Sequence, residues 1–195
     1  MFKPRGWSLI RFYTILVYIW MFAPIAVVIL LSFNPQQFGT FPMEGFSFKW
    51  YGDLFHNETI IMAFKNSMIL GSLTAVLTTA IGIPAAMAFI RYEFPGKNTL
   101  NTLLLAPIMI PEVVLGVSLL LFLRWLQQPK SFLLLLIGHC VLTLPYVLLV
   151  VQARLVSIKR SYEEASLTLG AGPFQTFREV TLPLLTPAVM AGMLF

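Results

Sequence analysis

Four long apolar stretches divide the chain, separated by short polar segments. Residues 12–33 run for 22 positions without a charged side chain, and residues 66–90 for 25 more. A third stretch lies between Lys97 and Arg124 and contains one charge, Glu112; a fourth lies between Lys130 and Arg154 and contains none. A fifth begins near Leu184 and reaches Phe195 after 12 residues. A helix needs about 20 apolar residues to cross a hydrocarbon core of about 30 Å. The first four are therefore predicted as complete membrane spans. The last 12 residues make only about 18 Å of helix, so an incomplete fifth span is expected, with the chain ending inside it. The predicted fold class is an all-α polytopic membrane protein, four full spans plus an incomplete fifth.

Composition agrees with the pattern. The chain has 195 residues, 58% hydrophobic and 11% charged, against about 25% charged in soluble domains. The net charge of +5 forms no basic stripe, so nucleic acid is not an expected partner. The basic start, with Lys3, Arg5 and Arg11, precedes an apolar run longer than the ~7–15 residues of a signal peptide, and no small-x-small cleavage site follows. The run reads as a retained span. Lysine and arginine then orient the chain. With the N-terminus in the cytoplasm, nine of them lie inside and four outside. The expected organisation is a cytoplasmic N-terminus at 1–11, a first span at 12–33, an outer loop at 34–65, and a core at 66–195 that includes a cytoplasmic loop at 152–183.

Pro24, Pro84, Pro107, Pro111 and Pro145 interrupt the spans. Each removes a backbone donor. Membranes tolerate this where neighbouring helices or a wet cavity satisfy the freed groups. The prolines fit a bundle around a pathway, and equally the ordinary proline content of membrane helices. The outer loop is rich in aromatics that settle at headgroup level, and "NET" at 57–59 matches a glycosylation sequon. Glu112 is the one acid within a span. A carboxylate there costs about 2.5–3.5 kcal/mol on insertion scales, and such groups face a cavity or a partner. Lining the path of a cationic substrate, pairing structurally, and being protonated are the readings open for it. His139, beside the lone Cys140, reads as a helix-to-helix hydrogen bond. No metal site is expected, and no catalytic pair stands out.

The polar segment "SYEEASLTLGAGPFQTFREVTLP", 161–183, breaks the apolar pattern. Ser161 and Glu164 have the spacing of a capping box, which predicts a helix start. Tyr162, Ala165 and Leu169 then share a face. Gly170 suits a left-handed helix end, and Gly172-Pro173 reads as a turn into a second short helix with Phe174, Phe177 and Val180 on one side. Pro183 stands where the fifth span starts. Such a helix-turn-helix either packs under its own bundle or enters a groove on a partner.

Glu164-Ala165-Ser166, three residues, Gly170, nine residues, Val180-x-Leu182-Pro183 resembles the EAA motif of ABC-transporter permease subunits, the MetI-like type I importer family. That family's pattern is EAA, three residues, G, nine residues, I-x-L-P. Ser166 replaces the second alanine and Val180 the isoleucine. "SFNPQQFG", "GFSFKWY", "NETIIMAFKNS", "RYEFPGK" and "PEVVLGVSLL" further resemble spermidine/putrescine permease subunits of the PotC-like type, extending the likeness over nearly the whole chain. The resemblance implies a type I ABC importer transmembrane domain in a bacterial inner membrane. It makes Glu164, Ala165 and Ser166 part of a helix that docks on a cytoplasmic ATPase, Gly170 its turn, and Leu182-Pro183 the return to the membrane. It also implies an ATPase dimer, a sister permease subunit in a heterodimer, and a periplasmic substrate-binding protein delivering polyamines or another small solute. The chain has no G-x-x-x-x-G-K-S/T phosphate loop, so it is not expected to be an enzyme; ATP and Mg belong to the partner ATPase. The rival classes are an ion-coupled transporter, which needs more intramembrane charges or paired broken helices, and a membrane-embedded enzyme.

Overall fold

The structure, a computed structural model, describes residues 6–194. Lys3 and Arg5 of the basic start and Phe195 of the fifth apolar stretch lie outside the described residues. Those described are helical apart from turns and connecting loops, and the chain divides into two compact units between Lys65 and Asn66.

In the first unit, α1 (Gly6–Leu31) is apolar around its circumference and carries Pro24 without breaking. Its side chains from Leu9 onward are almost all exposed, as suits a helix whose solvent is lipid. The segment after it is folded around Asn34, which is fully buried. Its amide donates to the Thr40 carbonyl (3.2 Å) and accepts from the Gln36 amide (3.1 Å), while the Trp50 indole donates to its backbone carbonyl (2.7 Å). Phe33 stacks on Phe46 at 4.8 Å and meets Phe48 edge-on at 5.4 Å. The predicted outer loop is thus an ordered aromatic cluster that includes a short helix, α2 (Lys49–His56). Asn57, the sequon asparagine, accepts the Ile60 amide at 3.2 Å and caps the helix that follows. That helix, α3 (Glu58–Arg91), begins before the predicted span at residue 66 and is 34 residues long.

The second unit contains the rest of α3 and all that follows. From Gly96, in a left-handed conformation at φ +79°, α4 (Lys97–Leu105) leads into a 3₁₀ turn (Ala106–Met109) and then α5 (Glu112–Trp125). The predicted third span is therefore not one straight helix. Its halves, Lys97–Met109 and Glu112–Trp125, are bent by 107°. The cause is local: the residue before a proline is pushed out of the helical region, and Ile110, before Pro111, is extended at φ −100°, ψ 130°. α6 (Phe132–Ser157) is capped by the Ser131 hydroxyl, which accepts the Leu134 amide at 3.3 Å, and carries Pro145 within it. Among the described residues His139 bonds within its own helix rather than to another: its Nδ1 lies 2.8 Å from the Leu135 carbonyl.

After α6 come α7 (Ser161–Thr168), α8 (Pro173–Thr176), a π-turn (Phe177–Thr181) and α9 (Leu182–Met193). The core sits where α3, α6 and α9 meet. Ala86, Val147, Leu148, Val151, Leu155 and Leu185 are sealed from solvent. Two glycines permit the approach at Val147. A Cβ on Gly82 would stand 2.8 Å from Val147 Cγ1, and one on Gly192 would stand 3.5 Å from Val147 Cα. Polar ties join α6 to α4 and to α9: Gln152 of α6 donates to Asn101 of α4 at 2.8 Å, and the Arg154 Nε donates to the Leu184 carbonyl of α9 at 3.0 Å. Among the described residues, three helices are long and apolar enough to cross a membrane, and four crossings result if the bent pair counts as one. The chain is an all-α polytopic membrane protein.

Candidate functional site

The segment 161–183 is built from local rules, one of which differs from expectation. The capping box does not form. α7 starts one residue earlier than a Ser161 cap requires, the Glu164 amide bonds to the Arg160 carbonyl at 3.0 Å, and no side chain caps the helix. Glu164 instead faces Arg160 one turn back, at 3.5 Å, with both side chains mostly exposed. A nearby cation thus holds the glutamate that would have reached back to Ser161.

The far end of α7 follows expectation. Gly170 sits at φ +90°. The Ala171 amide reaches the Ser166 carbonyl at 3.2 Å, the six-to-one bond of a glycine-terminated helix. No atom lies within 4 Å of where a Gly170 Cβ would be, so the backbone conformation alone favours glycine here. Gly172 caps α8, with Pro173 at its first position. The second helix does not stop before the membrane span, however. α8 passes through the π-turn into α9 without a loop. Pro183 has no N–H for the Glu179 carbonyl and would crowd it, and widening the preceding turn accommodates that loss.

Glu163 and Glu164 are adjacent but face opposite ways. Glu163 is largely buried: its Oε2 lies 3.0 Å from the Arg91 Nε, and the two side chains keep only 15% and 12% of their exposure. At Nε the contact is ionic rather than a well-aligned hydrogen bond. The hydrogen bonds come from the Arg91 Nη2, to Glu163 Oε1 at 3.2 Å and to the Ile158 carbonyl at 3.3 Å. Thr181 of the π-turn, itself buried, donates to Glu163 Oε1 at 3.0 Å. Ser166 and Thr176 pair at 3.0 Å and join α7 to α8. α7 is thereby clamped to the end of α3 and to the start of α9. Sequence reading missed Arg91, Glu163 and Thr181. Arg91 and Glu163 are 72 positions apart, and the sequence signal was only a charge just past the end of an apolar run.

The clamp leaves the other side of α7 open. A shallow groove of about 800 Å³ runs between α7 and the beginning of α9, with Tyr162, Ala165, Leu169 and Val180 among its walls. Ala165, Ser166, Gly170 and Pro183 of the motif meet here. Leu182 packs against the core instead, and Glu164 stands on the exposed flank beside Arg160. Leu169 is 89% exposed, although its spacing with Tyr162 and Ala165 is that of a buried face. Glu112 lies elsewhere, exposed at the first position of α5 and directly after the bend. The bend separates it from the helix that begins at Lys97.

Residues 78–195 match the family described as "Binding-protein-dependent transport system inner membrane component". The chain belongs to this family. This inner membrane component is 35% identical, over 176 residues, to the spermidine/putrescine transport system permease protein PotC of Escherichia coli strain K12; the match covers 90% of this chain and 66% of that protein. The PotC of Haemophilus influenzae is also 35% identical, over 178 residues, with 91% and 69% covered. The chain thus spans about two thirds of the length of these relatives. Among solved structures, a bacterial ABC transporter involved in the import of the acidic polysaccharide alginate superposes with a TM-score of 0.71 at 18% identity, over 100% of this chain and 71% of that one; this establishes the fold. The family is one of inner membrane components, and the membrane-crossing helices of this chain agree with a multi-pass member of it. The core of α3, α6 and α9, the bend and the whole of 161–183 fall within the matched residues.

Proposed function

We propose that the chain is the membrane-spanning permease subunit of an ATP-driven importer, and that its substrates are polyamines. A periplasmic binding protein delivers substrate to the outer face. A sister permease completes the pathway, and a pair of cytoplasmic ATPases drives it. α7 is the docking helix: Glu164, Ala165 and Ser166 meet the ATPase, Gly170 fixes the turn, and Leu182-Pro183 leads the chain back to the membrane. The observation that carries this reading is the exposed groove face of α7 on a helix clamped from behind, at residues with the EAA spacing. A helix presented rigidly pre-forms its docking geometry, which reduces the ordering cost of binding.

The bias of nine basic residues against four supports a cytoplasmic N-terminus and, with it, a cytoplasmic α7. In this topology α1, α3, the bent pair and α6 are four crossings, and α9 begins a fifth. The 35% identity to permeases named for spermidine and putrescine supports the polyamine assignment. Glu112, at the bend, lines the path of the cationic substrate.

Uptake of labelled spermidine and putrescine by cells lacking their own polyamine uptake, supplied with this permease and its partner subunits, tests the assignment. Saturable uptake that needs ATP is expected, with Glu112→Gln weakening apparent affinity or rate. Uptake of neither polyamine would remove the substrate class. An unchanged Glu112→Gln variant would remove that residue from the path.

A further inference from the structure

The buried cluster behind α7 joins segments that are remote in sequence. Arg91 ends α3, Ile158 lies in the turn after α6, Glu163 is in the first turn of α7, and Thr181 closes the π-turn before α9. Every polar contact of the cluster runs between segments rather than within one. The Glu163 carboxylate is its centre, taking Arg91 through Nε and Nη2 and Thr181 through its hydroxyl. Without Glu163 an arginine keeping 12% of its exposure would retain only the Ile158 carbonyl, and desolvated charges hold their partners strongly for that reason.

We propose that Arg91, Glu163 and Thr181 form the joint through which movement of α7 is passed to α3 and α9. This rests on the reading of α7 as the ATPase-docking helix and adds the route by which its motion leaves it. The contacts between α7 and the helical run 173–181 fit this role. Ser166 and Thr176 are joined by one hydroxyl pair, and the groove lies open beside it. The charged cluster ties α7 to a long helix, α3, by an ion pair and a hydrogen bond. Arg91 and Glu163 are positioning residues in this scheme, since neither meets substrate or nucleotide.

Two measurements test the joint. First, spin labels are placed on Tyr92→Cys at the end of α3 and Leu167→Cys on α7, both exposed positions, in a Cys140→Ala background, with the whole chain in lipid nanodiscs. A narrow distance distribution is expected, broadened by Glu163→Gln and by Arg91→Gln. The exchange Arg91→Glu with Glu163→Arg should recover part of the narrowing, because the Ile158 carbonyl would then face a carboxylate. Second, uptake is compared with ATP hydrolysis in the assembled transporter. Glu163→Gln should lose most uptake per ATP hydrolysed while the ATPase still co-purifies and turns over. An unbroadened distance in Glu163→Gln overturns the joint whatever the partner. A broadened distance with an unchanged ratio of uptake to hydrolysis overturns its part in coupling. If wild type itself binds no ATPase, the docking reading fails and the coupling role with it, while the distances still decide whether the joint holds α7.

Discussion

Replacing Glu163 with glutamine leaves the Arg91 guanidinium buried without its counter-ion, and breaking a buried pair in this way costs about 3–5 kcal/mol. Some exposure remains at both side chains, so about 3 kcal/mol is expected. The neighbouring change, Glu164→Gln, removes an exposed pair one helical turn long, worth about 0.3–0.5 kcal/mol. Thermal unfolding in one detergent should separate the two variants clearly; equal shifts would contradict the opposite environments assigned to them. Gly170 allows a third comparison. A non-glycine residue at its left-handed φ of +90° costs roughly 1–2 kcal/mol, with no steric term because the space is open. Gly170→Asn should therefore be tolerated better than Gly170→Val, as read by amide hydrogen exchange at the end of α7. The reverse order would mean that packing, not backbone, selects glycine.

At the scale of elements, the α3–α6 contact depends on a missing side chain. A Cβ at Gly82 would meet Val147 Cγ1 at 2.8 Å, and a β-branched side chain on a helix has little freedom to turn away. Overpacking of this kind costs about 1–3 kcal/mol, so Gly82→Ala should lower the unfolding temperature. Gly116→Ala in α5, with nothing within 4 Å, should not; if both are neutral, the helices are farther apart than described. The same scale explains what could be read in the sequence. The long spans, the left-handed Gly170 and the Pro173 start follow from hydropathy and from single-residue backbone preferences, which act locally. The break at Ile110-Pro111 was legible in principle. The apolar pattern simply runs through it, because hydropathy carries no information on backbone direction. The capping box was misread because motif spacing ignores competitors, and Arg160 lies one turn from Glu164.

At the scale of the molecule, what the sequence withheld is long-range pairing. Nothing about Arg91 in isolation distinguishes a topogenic charge flanking a span from the anchor of α7, and only the folded chain brings it to Glu163. The spacing at 164–183 was legible in the sequence, and the structure adds that α7 is tied from behind to the end of α3 and the start of α9. The open face of α7 is expected to meet an ATPase. Photo-cross-linking tests it most directly, with a cross-linking amino acid at Ala165 or Leu169 in the native membrane and a control at Trp125, which is exposed but outside 161–183. A product containing a subunit with a G-x-x-x-x-G-K-S/T phosphate loop is expected from Ala165 and Leu169, weakened by Gly170→Val and absent from Trp125. No such product from either α7 position, or an equal one from Trp125, would contradict it.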